Sequence, residues 1–205
     1  METANTTHWS VQRALPYILL CAAAVGLTAS LALTYDKLQL LHDPAYHPNC
    51  NLSPVLSCQS VMDKPQASTF GLPNSVFGLV AYSGLGMFSL ALLAGAQLRR
   101  WFWIAAQIGI TAGMISVLYL IYESAFRLHT ICPWCFCVWM VTIPAFWAMT
   151  VRNLREGVFG RVHKHFGPSF ERCVEQCPGD LLGLGYVFVL GLLLIKFWYY
   201  WRTLL

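Results

Sequence analysis

Between Arg13 and Asp36 the chain carries no charged side chain, and the same pattern returns four more times. The uncharged stretches are Pro16 to Tyr35, Ser75 to Leu98, Trp101 to Tyr122, Cys132 to Val151 and Leu181 to Trp201. Only Lys196 interrupts the last, close enough to its end to snorkel to the interface. Roughly 20 apolar residues in a helix span the hydrocarbon core of a bilayer, and a helix satisfies its own backbone there. A chain of 205 residues that is 57% hydrophobic and 11% charged has too little polar surface for a water-soluble domain of this size. These stretches predict an all-α integral membrane protein with five transmembrane helices. The first stretch is too long for a cleaved leader, and no small-residue cleavage site follows it.

Basic residues in the short connections set the expected orientation. Arg13, Arg99, Arg100, Arg152, Arg155, Arg161, Lys164 and Arg172 fall on one side, against Lys37, Lys64, Arg127 and Arg202 on the other. The first side is expected to be cytoplasmic, with the N-terminus on it. The net charge of +4 reflects this asymmetry and is no sign of nucleic-acid binding. The expected organisation is a four-helix bundle over residues 1–151 with an outer loop at 36–73. A basic cytoplasmic connector follows at 152–180, then a fifth helix at 181–205.

Topology also sorts the cysteines. Cys50, Cys58, Cys132 and Cys135 share the outer face, where disulfides persist. Cys173 and Cys177 fall on the reducing side, and Cys21 and Cys137 lie within helices. Four outward cysteines allow three pairings, and the sequence leaves them open. Cys132-Pro133-Trp134-Cys135 opens a membrane helix that runs uncharged from Phe136 to Val151. At a helix N-terminus the dipole and free N–H groups favour thiolate over thiol, as a redox-active pair requires. A disulfide at the mouth of a membrane helix needs an electron acceptor that lives in lipid, which points to a quinone. The outer loop, with Leu52, Val55, Leu56, Val61 and Met62, is apolar enough to lie on the membrane surface. There it would carry Cys58 to the second pair while Cys50 stays reachable from solvent.

The loop run Cys50-Asn51-Leu52-Ser53-Pro54-Val55-Leu56-Ser57-Cys58, the later Phe70-Gly71-Leu72-Pro73-Asn74-Ser75, and the Cys-x-x-Cys that opens a further helix resemble the vitamin K epoxide reductase family, in particular its bacterial members. The resemblance covers about Ser10 to Val151. It implies a quinone site inside the four-helix bundle, in a bacterial inner membrane, with the active cysteines on the periplasmic face. It implies a relay in which a reduced partner attacks Cys50, Cys58 shuttles to Cys132, and Cys135 faces the quinone, ubiquinone or menaquinone. It implies quinone contacts at Asn74, Cys135 and Trp139, and more loosely Met62; Phe70 and Phe77 are candidates with no motif behind them. The residues agree in part: Trp139 lies one turn beyond Cys135, and the Asn74 amide can donate to a carbonyl oxygen. Asn74 is equally suited to cap the second helix. Many bacterial members carry a thioredoxin-like domain after helix five. This chain stops at Leu205, so a separate periplasmic DsbA-like thioredoxin-fold partner is expected. Such a partner sits near about −120 mV, so the acceptor must be strong.

Other features read as ordinary. Ala105, Gly109 and Gly113 form a small-residue stripe expected to pack helices, as do Gly84, Gly86 and Ala91. Trp198 to Trp201 form an interfacial belt. His42, His47 and His129 match no zinc spacing, and no metal is expected. Glu123 and Arg127 suit a helix-end ion pair, Cys173 and Cys177 two reduced thiols, and Cys137 a packed bystander. The expected activity is a quinone-linked protein-disulfide oxidoreductase that oxidises its partner and passes on two electrons. The alternatives are a reductase of vitamin K or its epoxide, and a scaffold with structural disulfides within Cys50–Cys58 and Cys132–Cys135.

Overall fold

The computed structural model describes the chain apart from residues 1–2, 44, 52, 54, 63, 65–66, 70, 161–177, 199–201 and 203–205. Side chains are described from Arg13 onward and, after the gap at 161–177, from Leu182. Helix α1 is Thr3–His42. The short α2 (Gln59–Met62), β1 (Ser68–Thr69) and β2 (Leu72–Pro73) then lead into α3 (Asn74–Leu93). Next come α4 (Arg100–Tyr122), a π-helical turn at Glu123–Leu128, α5 (Pro133–Arg155) and α6 (Pro178–Lys196). Among the described residues, four helices are long and apolar enough to cross a membrane: those over Arg13–His42, Asn74–Leu93, Arg100–Leu128 and Pro133–Arg155. The chain is therefore a multi-pass, helical membrane protein. The fifth stretch is helical and apolar but shorter, at Leu182–Lys196. Cys173, Cys177 and most of the aromatic belt lie outside the described residues.

Helix α1 buries Leu15, Leu19, Ala22, Ala23, Gly26, Ala29 and Ser30, a stripe at the helical period that faces α3 and α5. Its small residues allow close approach. A Cβ at Gly26 would collide with the Tyr82 ring, and one at Gly78 with the Ser30 hydroxyl. The stripe expected for this task was elsewhere. Among the described residues, no atom of another helix lies within 4 Å of where a Cβ would sit at Gly109 or Gly113, and Ala105 is exposed. That face of α4 points away from the other helices, because α4 packs on α5 through Gln107, Ile110 and Val117 instead.

Helix α5 contains Pro144, which lacks the N–H that would bond the Met140 carbonyl one turn earlier. The Tyr186 hydroxyl of α6 donates to that carbonyl. The proline thus creates the acceptor that seats α6 on α5.

The outer loop begins later than expected. Asp36 and Lys37 do not end α1; the helix runs six residues further, to His42, so the loop starts at Asp43 rather than residue 36. Asp36 is 8% exposed and accepts a hydrogen bond from the Tyr46 hydroxyl (3.0 Å), while Lys37 Nζ donates to the Met62 carbonyl (3.0 Å). Both charges are spent on the returning loop, which is why they do not break the helix.

Candidate functional site

The loop that follows α1 is drawn onto the start of α5 by its backbone. Leu56 forms an isolated parallel bridge with Ile131: Ile131 N–H donates to the Val55 carbonyl (2.8 Å) and Ser57 N–H to the Ile131 carbonyl (3.2 Å). Cys58 lies two residues beyond one side of the bridge and Cys132 one residue beyond the other. Side chains between the loop cysteines brace this arrangement. Asn51 Oδ1 accepts from the Ser57 hydroxyl (2.9 Å) and the Gln59 N–H (3.2 Å), and Ser53 Oγ accepts from Leu56 N–H (3.0 Å). The bridge was not legible in the sequence, since it joins segments about 75 residues apart.

Cys50 and Cys58 are joined by a disulfide, while Cys132 and Cys135 are free thiols. The Cys132 thiol donates to Cys58 Sγ at 3.4 Å. All three inner sulfur positions are shielded: Cys58 is 0%, Cys132 1% and Cys50 8% exposed. Cys50 is thus less open to solvent than the loop's sequence led us to expect, because it packs in a cluster with Cys58, Met62 and Cys132, with Asp36 beside its sulfur. Cys132 is the N-cap of α5, its sulfur accepts the Cys135 N–H (3.4 Å), and Pro133 follows at N1, where the missing N–H costs nothing. Cys132 lies just outside the membrane span. A hydrogen bond from the Cys135 thiol holds its own thiol below the ordinary value, outweighing the burial that opposes it.

A cavity of about 300 Å³ opens beside these sulfurs, with Cys58, Cys132, Cys135, Met62, Asn74 and Lys37 among its lining residues. Its remaining walls are mostly apolar, with Leu33, Val61 and Leu120; Ser68 and Ser75 add hydroxyls and Lys64 a second cation. Apolar walls with a few converging donors, at the low end of the usual volume for small-molecule sites, fit a quinone ring. Asn74 is not the cap of α3. Pro73 holds that position with no side-chain cap, and Asn74 is the first helical residue. A turn at Gly71, whose φ is +80°, and the β1–β2 pairing bring this helix start to the cavity.

Two expected contacts lie elsewhere. Phe77 is 45% exposed, on the outer side of α3, and is not among the cavity's lining residues. Trp139 is fully buried behind Cys135, packed with Ile121, Ile143 and Phe197, and does not line the cavity either. Helix α6 covers that face of α5, which the one-turn spacing from Cys135 could not reveal. Its indole N–H is buried with no partner among the described residues, so a donor stands one turn below the Cys135 position. Phe70 lies outside the described residues. Lys37, Ser75 and Asp36 are the site's additions to the sequence reading. A charge directly after an apolar run was the only signal for the first and last.

The model of the vitamin K epoxide reductase family matches residues 17–150, well over half of the chain, from α1 through most of α5.

Proposed function

The chain belongs to the vitamin K epoxide reductase family, and from that premise we propose that it oxidises thiols of a protein partner and passes the electrons to a membrane quinone. The observation that carries this is the contact of Cys132 Sγ with Cys58 Sγ at 3.4 Å, between a closed disulfide and a pair of free thiols that line the cavity. Thiol–disulfide exchange moves electrons only between sulfurs that meet, and these do.

In this reading a partner thiolate opens Cys50–Cys58, and the freed Cys58 attacks Cys132 when the latter is bonded to Cys135. Cys135 leaves as a thiolate facing the cavity. A second thiol of the partner displaces Cys50 from the mixed disulfide, so the partner departs oxidised, and the Cys50 thiolate then closes on Cys58, releasing Cys132 and restoring the arrangement seen here. Oxidation of Cys132 and Cys135 to a disulfide releases two electrons and two protons. A quinone bound in the cavity supplies the acceptor for both, ending as a quinol. Asn74 orients a carbonyl oxygen, Met62 and the apolar walls exclude water, and the N-cap position of Cys132 stabilises its thiolate. The partner has a thioredoxin-like, DsbA-type fold. The N-terminus and basic connections lie in the cytoplasm, and the sulfurs face the periplasm of a bacterial inner membrane.

A purely structural role predicts a second bond within Cys132–Cys135, and those residues carry two free thiols instead. The test is quinone reduction by the purified chain in detergent, with a reduced DsbA-like protein as donor. Turnover should fall at least about a thousandfold in Cys135→Ser with the Cys50–Cys58 bond intact. Undiminished turnover in that variant would remove Cys135 from the path.

A further inference from the structure

Two consecutive residues near the end of α1 put opposite charges on the two sulfurs of the loop disulfide. Asp36 Oδ2 lies 3.7 Å from Cys50 Sγ, and the carboxylate is 8% exposed. Its other oxygen accepts the Tyr46 hydroxyl at 3.0 Å. The Tyr46 phenol, outside the membrane span, is held above its ordinary value first by that hydrogen bond. Lys37, about 100° further round the helix, points to the cavity that Cys58 lines, tethered by its bond to the Met62 carbonyl.

In thiol–disulfide exchange the sulfur that leaves must take up negative charge, and the sulfur attacked carries less of it in the transition state. A fixed anion beside Cys50 disfavours charge there, while a cation on the far side favours it at Cys58. We infer that Asp36, aided by Lys37, decides which sulfur leaves: the incoming thiolate bonds to Cys50 Sγ, the Cys50–Cys58 bond breaks, and its electron pair departs on Cys58 Sγ. The released thiolate is the one already in contact with Cys132. The exchange is balanced by the incoming thiolate alone, and no further oxidant takes part. This deepens the proposed function and rests on it in one respect, that an external thiol opens the Cys50–Cys58 bond.

The test uses 2-mercaptoethanol, an uncharged thiol, on the full chain carrying Cys132→Ser. The reaction is quenched in acid at early times, and the adduct sites are mapped by mass spectrometry. The adduct on Cys50 should exceed that on Cys58 by roughly tenfold, and Asp36→Asn should bring the two towards equality. A ratio that Asp36→Asn leaves unchanged overturns the proposal, since burial alone would then direct the attack. Should Asp36→Asn disturb the loop, the second measurement leaves Asp36 in place and compares two lone thiols by alkylation against pH, Cys50 in Cys58→Ser and Cys58 in Cys50→Ser, both with Cys132→Ser. Asp36, itself bonded by Tyr46, lies against the first, and Lys37 and Lys64 line the cavity at the second. The Cys50 half-point should lie above that of Cys58 by about one unit; a Cys50 half-point at or below that of Cys58 also overturns the proposal. Both readings need no quinone, so failure of the quinone chemistry and failure of this inference are seen separately.

Discussion

Helix α5 ends in two buried polar clusters of opposite character. At its far end Asn153, fully buried, donates to Gln107 Oε1 (2.9 Å), and Gln107 donates in turn to Thr150 (3.0 Å). Arg152 there donates to Asn153 (3.2 Å) and lies over the Trp103 ring, 3.4 Å from its centroid. At the cysteine end the polar atoms are held less completely. The Cys132 thiol makes a weak contact to a disulfide, and the Trp139 N–H and one Glu123 oxygen are buried without partners among the described residues. Apart from Arg155 Nη1, a buried atom with no hydrogen bond among the described residues, the far end has used its hydrogen-bonding capacity on itself. The other keeps capacity in reserve beside a cavity, as a site that must bind and react requires.

The largest effect that would sharpen this contrast is at the satisfied end. Asn153→Leu leaves Gln107 Oε1 buried without its donor, and should cost about 1–3 kcal/mol, read as a lower unfolding midpoint in detergent. The Cys50–Cys58 bond and the thiol reactivity of Cys132 should be unchanged; a change in either would show that the two ends are coupled and break the comparison.

At the reactive end the Cys132 thiolate is favoured by the fold, so its half-point for alkylation by iodoacetamide should lie below the ordinary thiol value. Cys135→Ala removes the hydrogen bond responsible and should raise it by about one unit. The sign for stability follows. A depressed value contributes stability above the ordinary thiol pKa, and that contribution is lost as pH falls through the lower folded value. No movement in Cys135→Ala would place the effect in the helix terminus alone.

Tyr186→Phe deletes the donor to the Met140 carbonyl and should loosen α6 by about 1 kcal/mol, seen as faster hydrogen exchange over 182–196. The smallest effect is expected on the lipid-facing side. Phe77→Ala should change the KM for quinone by less than about twofold, while Asn74→Ala should raise it about tenfold, the loss of one hydrogen bond. Equal effects would return Phe77 to the cavity.

The membrane helices were legible because absence of charge over some twenty residues has one physical meaning. The positions that open α5 were equally plain, since Pro133 after Cys132 is a helix start. What was hidden depends on residues far apart in sequence. Asp36 and Lys37 read as the end of a span, and only the returning loop turns them into helix. Trp139 shares a face with Cys135 by spacing, yet that face is divided between the cavity and α6. The stripe at Ala105, Gly109 and Gly113 has the composition of a packed interface, and neighbouring helices, absent from a local pattern, decide whether it is one. Asn74 had the composition of a helix cap, and the turn before it gives that position to Pro73 instead.

The parallel bridge between Leu56 and Ile131 makes the outer loop a ruler. Successive side chains alternate in direction along such a pairing, so one residue added between Leu56 and Cys58 would turn the sulfur away from Cys132, and one removed would do the same. The stretch between α2 and β1 meets no such constraint from the bridge. Loop length in this protein is therefore a tolerance that differs by segment: changes of a residue or two should be borne between Met62 and Ser68, and a single residue should not be borne between Val55 and Cys58.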